Sequence, residues 1–371
     1  MNLLNTLDLT LRALNTRLPE VDPPRCVATR YRASTCRRCA EVCPGGAIVR
    51  TPTLEVDPEK CLGCGACAVV CPTGALDFVQ PRAALRAGLR AAAESGGGVA
   101  TIACARSDMP AGRGMEIRVE CLGSVAATDL LLARAAGLRS LDLVDGGCVG
   151  CPTASAVAAL PPAIDAAATV VIALDNEQPS AGPTRQPMTV TRLTALSKPS
   201  AAGAGLAAGA RSGGRHGPKR AAEDQEPPGW AGPVLSRRQL LLFFGVRSVQ
   251  VAETAAVKRR MTSVESLHAQ NPPPPTHQLL VRHLDALALQ GEVHVDFGTC
   301  AEPLHLAAIT VSEACDSCGL CVRYCPHGAL KMAEGLVVAN ARLCTACGLC
   351  ADVCPPEAIG LRPPTLPLVG C

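Results

Sequence analysis

Cys315-Asp316-Ser317-Cys318-Gly319-Leu320-Cys321-Val322-Arg323-Tyr324-Cys325-Pro326 is the stretch on which the reading turns. Three cysteines recur every third position, and a fourth follows four positions on, just before a proline. The same run returns at Cys344, Cys347, Cys350 and Cys354-Pro355, and near the other end at Cys61, Cys64, Cys67 and Cys71-Pro72. A fourth group, Cys36, Cys39 and Cys43-Pro44, breaks the pattern. The position three before Cys36 is Ala33, and the nearest upstream cysteine is Cys26. Each group is followed by a similar tail: Gly46-Ala47-Ile48, Gly74-Ala75-Leu76, Gly328-Ala329-Leu330 and Glu357-Ala358-Ile359. The chain therefore carries an internal repeat, one copy near each end. In each copy a short β-like segment, Leu54–Asp57 or Gly335–Val338, separates two cysteine groups.

The chain has 371 residues and 22 cysteines. A secreted disulfide scaffold would be short, with cysteines scattered through loops, whereas tight C-x-x-C runs suit shared metal centres. The spacing C-x-x-C-x-x-C-x-x-x-C-P is that of iron–sulfur ligation, in which three thiolates wrap one cubane and the fourth reaches the other cluster of a pair. Crossed ligation then assigns Cys315, Cys318, Cys321 and Cys354 to one [4Fe-4S] cluster, and Cys325, Cys344, Cys347 and Cys350 to its mate. Near the N-terminus Cys61, Cys64 and Cys67 pair with Cys43. For the irregular group the simplest repair is a seven-residue insertion, with Cys26 joining Cys36, Cys39 and Cys71; the alternative is a [3Fe-4S] cluster with Cys26 merely buried. Zinc is the rival for all these runs, although tetrahedral zinc sites use two C-x-x-C pairs rather than overlapping triplets.

These runs resemble two-cluster bacterial-type ferredoxin domains over about residues 20–80 and 305–362. The resemblance implies small pseudo-twofold α+β modules, each with two clusters close enough for electron hopping. It implies no particular donor or acceptor, because such modules are grafted onto many enzymes.

Between the ends, residues 81–178 alternate helix and strand signals. A helix is expected over Arg82–Glu94 and strands over Val99–Cys104 and Ile117–Cys121. A helix over Ala126–Ala136 precedes a strand over Ser140–Val144. A short helix over Thr153–Leu160 then leads to a strand over Thr169–Leu174. That alternation predicts a small parallel α/β domain. Cys104 and Cys121 close their strands, and Cys148 and Cys151 follow the third. In a parallel sheet those ends converge on one edge, so the four form a candidate metal site; small buried hydrophobes are the plain alternative. Residues 97–175, through Ile102–Ala105, Val119–Gly123 and Gly146–Pro152, are similar to the delta-subunit family of methyl-viologen-reducing hydrogenases. That likeness implies a [2Fe-2S] centre on the same four cysteines, with zinc as the rival.

Residues 179–235 are rich in Ala, Gly, Pro and Ser and are expected to be a disordered linker. A helical segment is assigned to 236–290, its helix expected from Ser236 to about His268 and ending before the run Pro272–Pro275, which is expected not to be helical. Ser236-Arg237-Arg238-Gln239-Leu240-Leu241 looks like a twin-arginine motif. A similar segment opens the ferredoxin-like accessory proteins of periplasmic nitrate reductase, and a basic helix start is the alternative. The expected organisation is therefore a ferredoxin-like module over 1–80, the α/β domain, the linker, the helical segment and a second module over 291–371.

A formal charge of +3 offers no general case for nucleic acid. Four clusters at about −2 each would bring it to about −5. No run approaches about 20 apolar residues, so no transmembrane helix is expected. Met1–Leu18 lacks a signal-peptide pattern and reads as an amphipathic helix. The setting expected is reducing and cytoplasmic. No nucleotide fingerprint or catalytic triad is readable. The expectation is a non-catalytic electron-transfer subunit that relays electrons between redox partners of an oxidoreductase or hydrogenase-type complex. Electrons would enter one module, pass by way of the middle site and leave from the other. The alternative is a maturation or assembly factor docking on a molybdenum-type reductase or hydrogenase.

Overall fold

A computed structural model describes residues 18–50, 52–107, 114–176, 188–194, 270–288, 297–365 and 368. Residues 1–196 and 262–371 belong to one unit and 197–261 to another. The expected N-terminal helix, the Ser236 motif and the helix over 236–268 lie outside the described residues, apart from Leu18.

The N-terminal cysteine module runs β1 (Glu20–Val21), α1 (Val27–Arg30), α2 (Arg38–Val42), β2 (Ile48–Val49), β3 (Glu55–Val56), α3 (Ala66–Val69) and β4 (Leu76–Asp77). β1 pairs antiparallel with β4, and β2 with β3. The middle region follows with α4 (Val79–Glu94), β5 (Val99–Cys104), β6 (Met115–Val119), α5 (Ala127–Ala135), β7 (Ser140–Asp145), α6 (Leu160–Asn176) and β8 (Thr189–Thr194). Its four strands form a parallel sheet in the order β6-β5-β7-β8. After α7 (Pro275–Ala288), the C-terminal module has β9 (Ala308–Val311), α8 (Leu320–Tyr324), β10 (Leu330–Ala333), β11 (Leu336–Ala339), α9 (Leu349–Asp352) and β12 (Ile359–Arg362). There β9 pairs with β12 and β10 with β11, both antiparallel. Each end thus has first and last strands paired around an inner hairpin, which is the repeat seen in the cysteine runs.

Three expectations need correction. Residues 169–174 are helix, not strand. Leu160, Ala163, Ala166, Ala167 and Val170 are all buried, and that three-to-four spacing is helical. The stretch Ala154–Val171 is apolar and long enough to cross a membrane by composition alone, but its buried face packs into the main core as a core helix does. The fourth strand is instead β8, inside the segment expected to be linker. Its Thr-Val-Thr-Arg-Leu-Thr sequence is rich in β-branched residues, but the low-complexity surroundings hid it. The proline run is only partly non-helical, because Pro275 opens α7. Proline is tolerated there, its missing N–H being unneeded in the first turn.

The expected boundary near 291 is not a boundary in the packing. Leu280, Val281 and Leu284 from α7, with Phe297, Ala301, Leu304 and Leu306, join the core built by the parallel sheet and its helices. α7 packs against α5, and the turn Gly298–Ala301 packs against α6. Residues 270–274, just before α7, lie against the turns that follow Cys71-Pro72 and Cys325-Pro326, where a Cβ on Gly74 would lie 2.9 Å from Pro274 and one on Gly328 2.8 Å from Gln270. Asn271 N–H donates to the Pro326 carbonyl at 2.7 Å, and Arg25 Nη1 donates to the Pro272 carbonyl at 3.0 Å.

Candidate functional site

Each regular ligand loop turns through two left-handed residues. Gly63 and Gly65, Ser317 and Gly319, and Ala346 and Gly348 all have positive φ. The second of each pair caps the short helix carrying the third cysteine: Gly65 before α3, Gly319 before α8 and Gly348 before α9. The irregular loop lacks this device, since Arg37 before α2 has φ −130°. In place of a two-residue spacer it has nine residues between Cys26 and Cys36, four of them in α1.

The tail repeated after each Cys-Pro also has a physical role. Gly46, Gly74, Gly328 and Glu357 take positive φ and turn the chain back toward the preceding sulfur. The next backbone N–H then points at that sulfur: Ala47 to Cys43, Ala329 to Cys325 and Ala358 to Cys354, each at 3.3 Å. At Cys71 the neighbour is the Thr73 hydroxyl at 3.7 Å. Donors of this kind stabilise thiolates and tune the centre they hold. The tails were visible in the sequence, but their aim at sulfur was not.

Many of the thiols are raised by burial and by one another. Burial first, then repulsion from Cys71, Cys26 and Cys36, pushes Cys39 up to about 12. Cys36 is raised by burial and by Cys71 and Cys26, and Cys26 by burial and by Cys71. Burial, with repulsion from Cys121, Cys43 and Cys61, raises Cys64 to about 11. Cys67 is raised by burial and by Cys64, Cys39, Cys61 and Cys43. At the other end, Cys321 is raised by burial and by Cys315, Cys354 and Cys318. Cys344 is pushed up to about 11 by burial and by Cys325. Cys347 is pushed up to about 12 by burial and by Cys325 and Cys344. Cys350 is raised by burial and by Cys347, Cys344 and Cys325. Such repulsion means that these thiols lie near one another.

The middle cysteines also meet. Cys121 is raised by burial and by Cys104 and Cys151; Cys148 is raised by burial, by Asp145, and by Cys121 and Cys151. Cys151 differs. Burial raises it, but the Thr153 hydroxyl, 3.2 Å from its sulfur, the Thr153 backbone and the Arg106 charge outweigh that and lower it. Gly123 N–H points at the Cys121 sulfur at 3.4 Å. Neither Thr153 nor Arg106 was singled out from the sequence, and no spacing rule points to them.

Among the described residues, no three His, Cys, Asp or Glu side chains converge closely enough for one metal ion.

The sets stand in a row. Cys64 feels Cys121, and a Cβ on Gly65 would lie 2.6 Å from Ser124 Cβ, so the N-terminal module abuts the middle set. Cys67 feels Cys39 within the module. Cys36 and Cys347 pack around one small core of Val27, Leu349 and Val353, so the two end modules abut directly. The middle set therefore lies at one end of the row and not between the modules. At the other end Cys318 is exposed and Cys315 half-buried. Near the middle set Val149 is 96% exposed, between the half-buried Cys148 and Cys151.

Residues 54–77 match the family model of the 4Fe-4S binding domain, and residues 314–363 match that of the 4Fe-4S dicluster domain. The chain matches no curated protein and no solved structure. Neither family match reaches 97–175, so the likeness to the hydrogenase delta subunit gains no support from them. The two matches support repeated 4Fe-4S binding and an iron–sulfur electron-transfer role, which implies redox partners.

Proposed function

We propose that this chain is an electron relay holding four [4Fe-4S] clusters in one row, with a fifth iron–sulfur centre at the end formed by the parallel sheet. The observation that carries the reading is the cysteine run repeated at both ends, which matches 4Fe-4S family models over residues 54–77 and 314–363. On this reading Cys26 is the missing ligand of the irregular group, since its only cysteine neighbour among the causes of its shift is Cys71. When bound, the clusters supply one-electron centres; the chain supplies thiolates, N–H donors to sulfur and burial, which set their potentials.

For Cys104, Cys121, Cys148 and Cys151 we put [2Fe-2S] ahead of zinc, because the set adjoins the Cys61–Cys67 group, Cys121 being among the thiols that raise Cys64, and an iron–sulfur centre there would extend the relay. The exposed ends of the row, near Cys318 and near Val149, are where redox partners would exchange electrons. Thiolate clusters of this kind suit a reducing compartment, the cytoplasm. The accessory-factor reading drew on Ser236–Leu241, which lies outside the described residues, and no observation favours it.

Iron and acid-labile sulfide per chain, with EPR of the dithionite-reduced protein, test the proposal. Iron near 18 per chain with a [2Fe-2S] signal is the expected result. Iron near 16 with one zinc would keep the four cubanes and overturn the fifth centre. Iron near eight after full reconstitution would overturn the relay.

A further inference from the structure

The seven residues by which the Cys26–Cys36 spacing exceeds the regular one are used almost entirely on the other module. α1 and the residues after it supply Val27 to the shared core, and Tyr31 stacks edge-on against Tyr324 at 5.7 Å. Ser34 Oγ donates to Asp352 at 2.8 Å, and Thr35 N–H donates to the same carboxylate oxygen at 3.2 Å. Arg30 is buried, 5% exposed. Its Nε donates to the Tyr324 carbonyl at 3.2 Å, next to Cys325, and its Nη1 to the Pro24 carbonyl at 3.0 Å. From just past the same loop, Arg38 Nη2 donates to the Ala346 carbonyl at 3.4 Å, next to Cys347.

We infer that the Cys26–Cys36 loop clamps the two modules together and that Arg30, with Arg38, raises the reduction potential of the centre held by Cys325, Cys344, Cys347 and Cys350. The inference rests on the relay reading above. Reduction adds one electron to a thiolate-bound centre that is already about −2, taking it to about −3 with no proton required. A fixed cation in a site shielded from water favours the more negative state, and the effect is large because screening there is weak. Arginine stays charged on burial. The charges are close enough to act, since Arg30 and Arg38 donate to the carbonyls of Tyr324 and Ala346, the residues just before Cys325 and Cys347. The loop that departs from the regular ligand spacing thus delivers cations to a centre in the other half of the chain. That centre then becomes a favoured resting place for the electron inside the row, next to the set that holds Cys315 and Cys318.

The test is a redox titration of the full-length, anaerobically purified chain, followed by EPR and visible absorbance, with iron counted in the same samples. Arg30→Met is expected to keep its iron and to make reduction of one centre about tenfold less favourable, about 59 mV lower for one electron. Arg30→Lys, which keeps the charge, is expected to titrate like the parent. Unchanged midpoints in Arg30→Met with full iron would overturn the inference, as would a shift of the same size in Arg30→Lys. If Arg30→Met loses iron, Arg38→Gln decides: its side chain is only half-buried, and a lowered midpoint is expected there, while unchanged midpoints overturn the inference. Low iron in the parent itself points instead to failure of the four-cluster reading.

Discussion

The two cysteine modules share one arrangement of strands and ligands, yet they differ in what holds each together. In the C-terminal module β9 and β12 pair over four residues, as do β10 and β11. Cys321, Cys325, Cys344 and Cys350 line its own core with Ile309, Leu330 and Ile359. In the N-terminal module both strand pairs run for only two residues. Its α3 faces outward into the main core, where Cys64 and Ala66 pack with the parallel sheet. Its irregular loop docks on the C-terminal module. A module with regular ligand loops and longer ladders is largely self-supporting, whereas the irregular one relies on its neighbours on both sides. A matching asymmetry appears in the family matches, which take in both cysteine groups of the C-terminal module but only the second group of the N-terminal one.

The largest effect that would break this comparison is expected at Cys26. If the long loop still delivers a fourth ligand, Cys26→Ala should cost about one cubane, about four iron per chain, as Cys315→Ala should at the other end. Iron analysis of both variants checks this. Loss in Cys315→Ala with none in Cys26→Ala would mean that the N-terminal set works with three cysteines.

A smaller effect is expected from pH, through the histidine that ties the N-terminal module to the main core. His305 Nε2–H donates to the Val69 carbonyl at 2.8 Å, while its buried Nδ1 has no partner. Burial, only partly offset by the Val69 bond, holds its pKa down at about 4. The unfolded value is about 6.5, so between these values the unfolded chain binds the proton more readily. The contribution is complete above about pH 6.5 and is lost as pH falls toward 4, amounting to about 2 kcal/mol at pH 5. Burial also holds His327 at about 4, so denaturant unfolding at pH 7.5 and pH 5 should show a larger total loss at pH 5, and His305→Gln should remove about 2 kcal/mol of it.

The smallest effect sharpens the comparison at equivalent turns. Gly46 and Glu357 occupy the same place after their Cys-Pro, with φ 60° and 52°. A side chain in the left-handed region costs about 1–2 kcal/mol. Glu357→Gly should therefore stabilise the C-terminal module by about 1 kcal/mol. Gly46→Ala, with nothing within 4 Å of the added Cβ, should destabilise the N-terminal module by a similar amount through strain alone. Thermal unfolding of the two variants would show opposite shifts.

Much of the fold was legible where local pattern dominates. The apolar run Val99–Cys104 is a strand at those same residues, and Ser140–Val144 is one residue short of its strand. Residues 169–174 were misread because a short apolar run fits a buried strand or a core helix equally well, and only its packing partners decide. β8 was missed because its register is set by pairing with β7 across a distant stretch of chain. The placement of α7 in the main core could not be seen, since nothing local distinguishes its apolar face from that of an independent helix.

By itself the sequence determined where the 4Fe-4S binding runs lie and that they repeat at both ends, because the spacing of cysteines along one tight loop is a local property. It also marked the irregular loop as an insertion. Only the tertiary structure decided what that insertion does and in what order the sets stand. Arg30 meets Tyr324 across 294 residues of chain, and Ser34 meets Asp352 across 318. Contacts at such separation depend on complementary surfaces and on the burial gained when they close, and no spacing of residues along the chain encodes them.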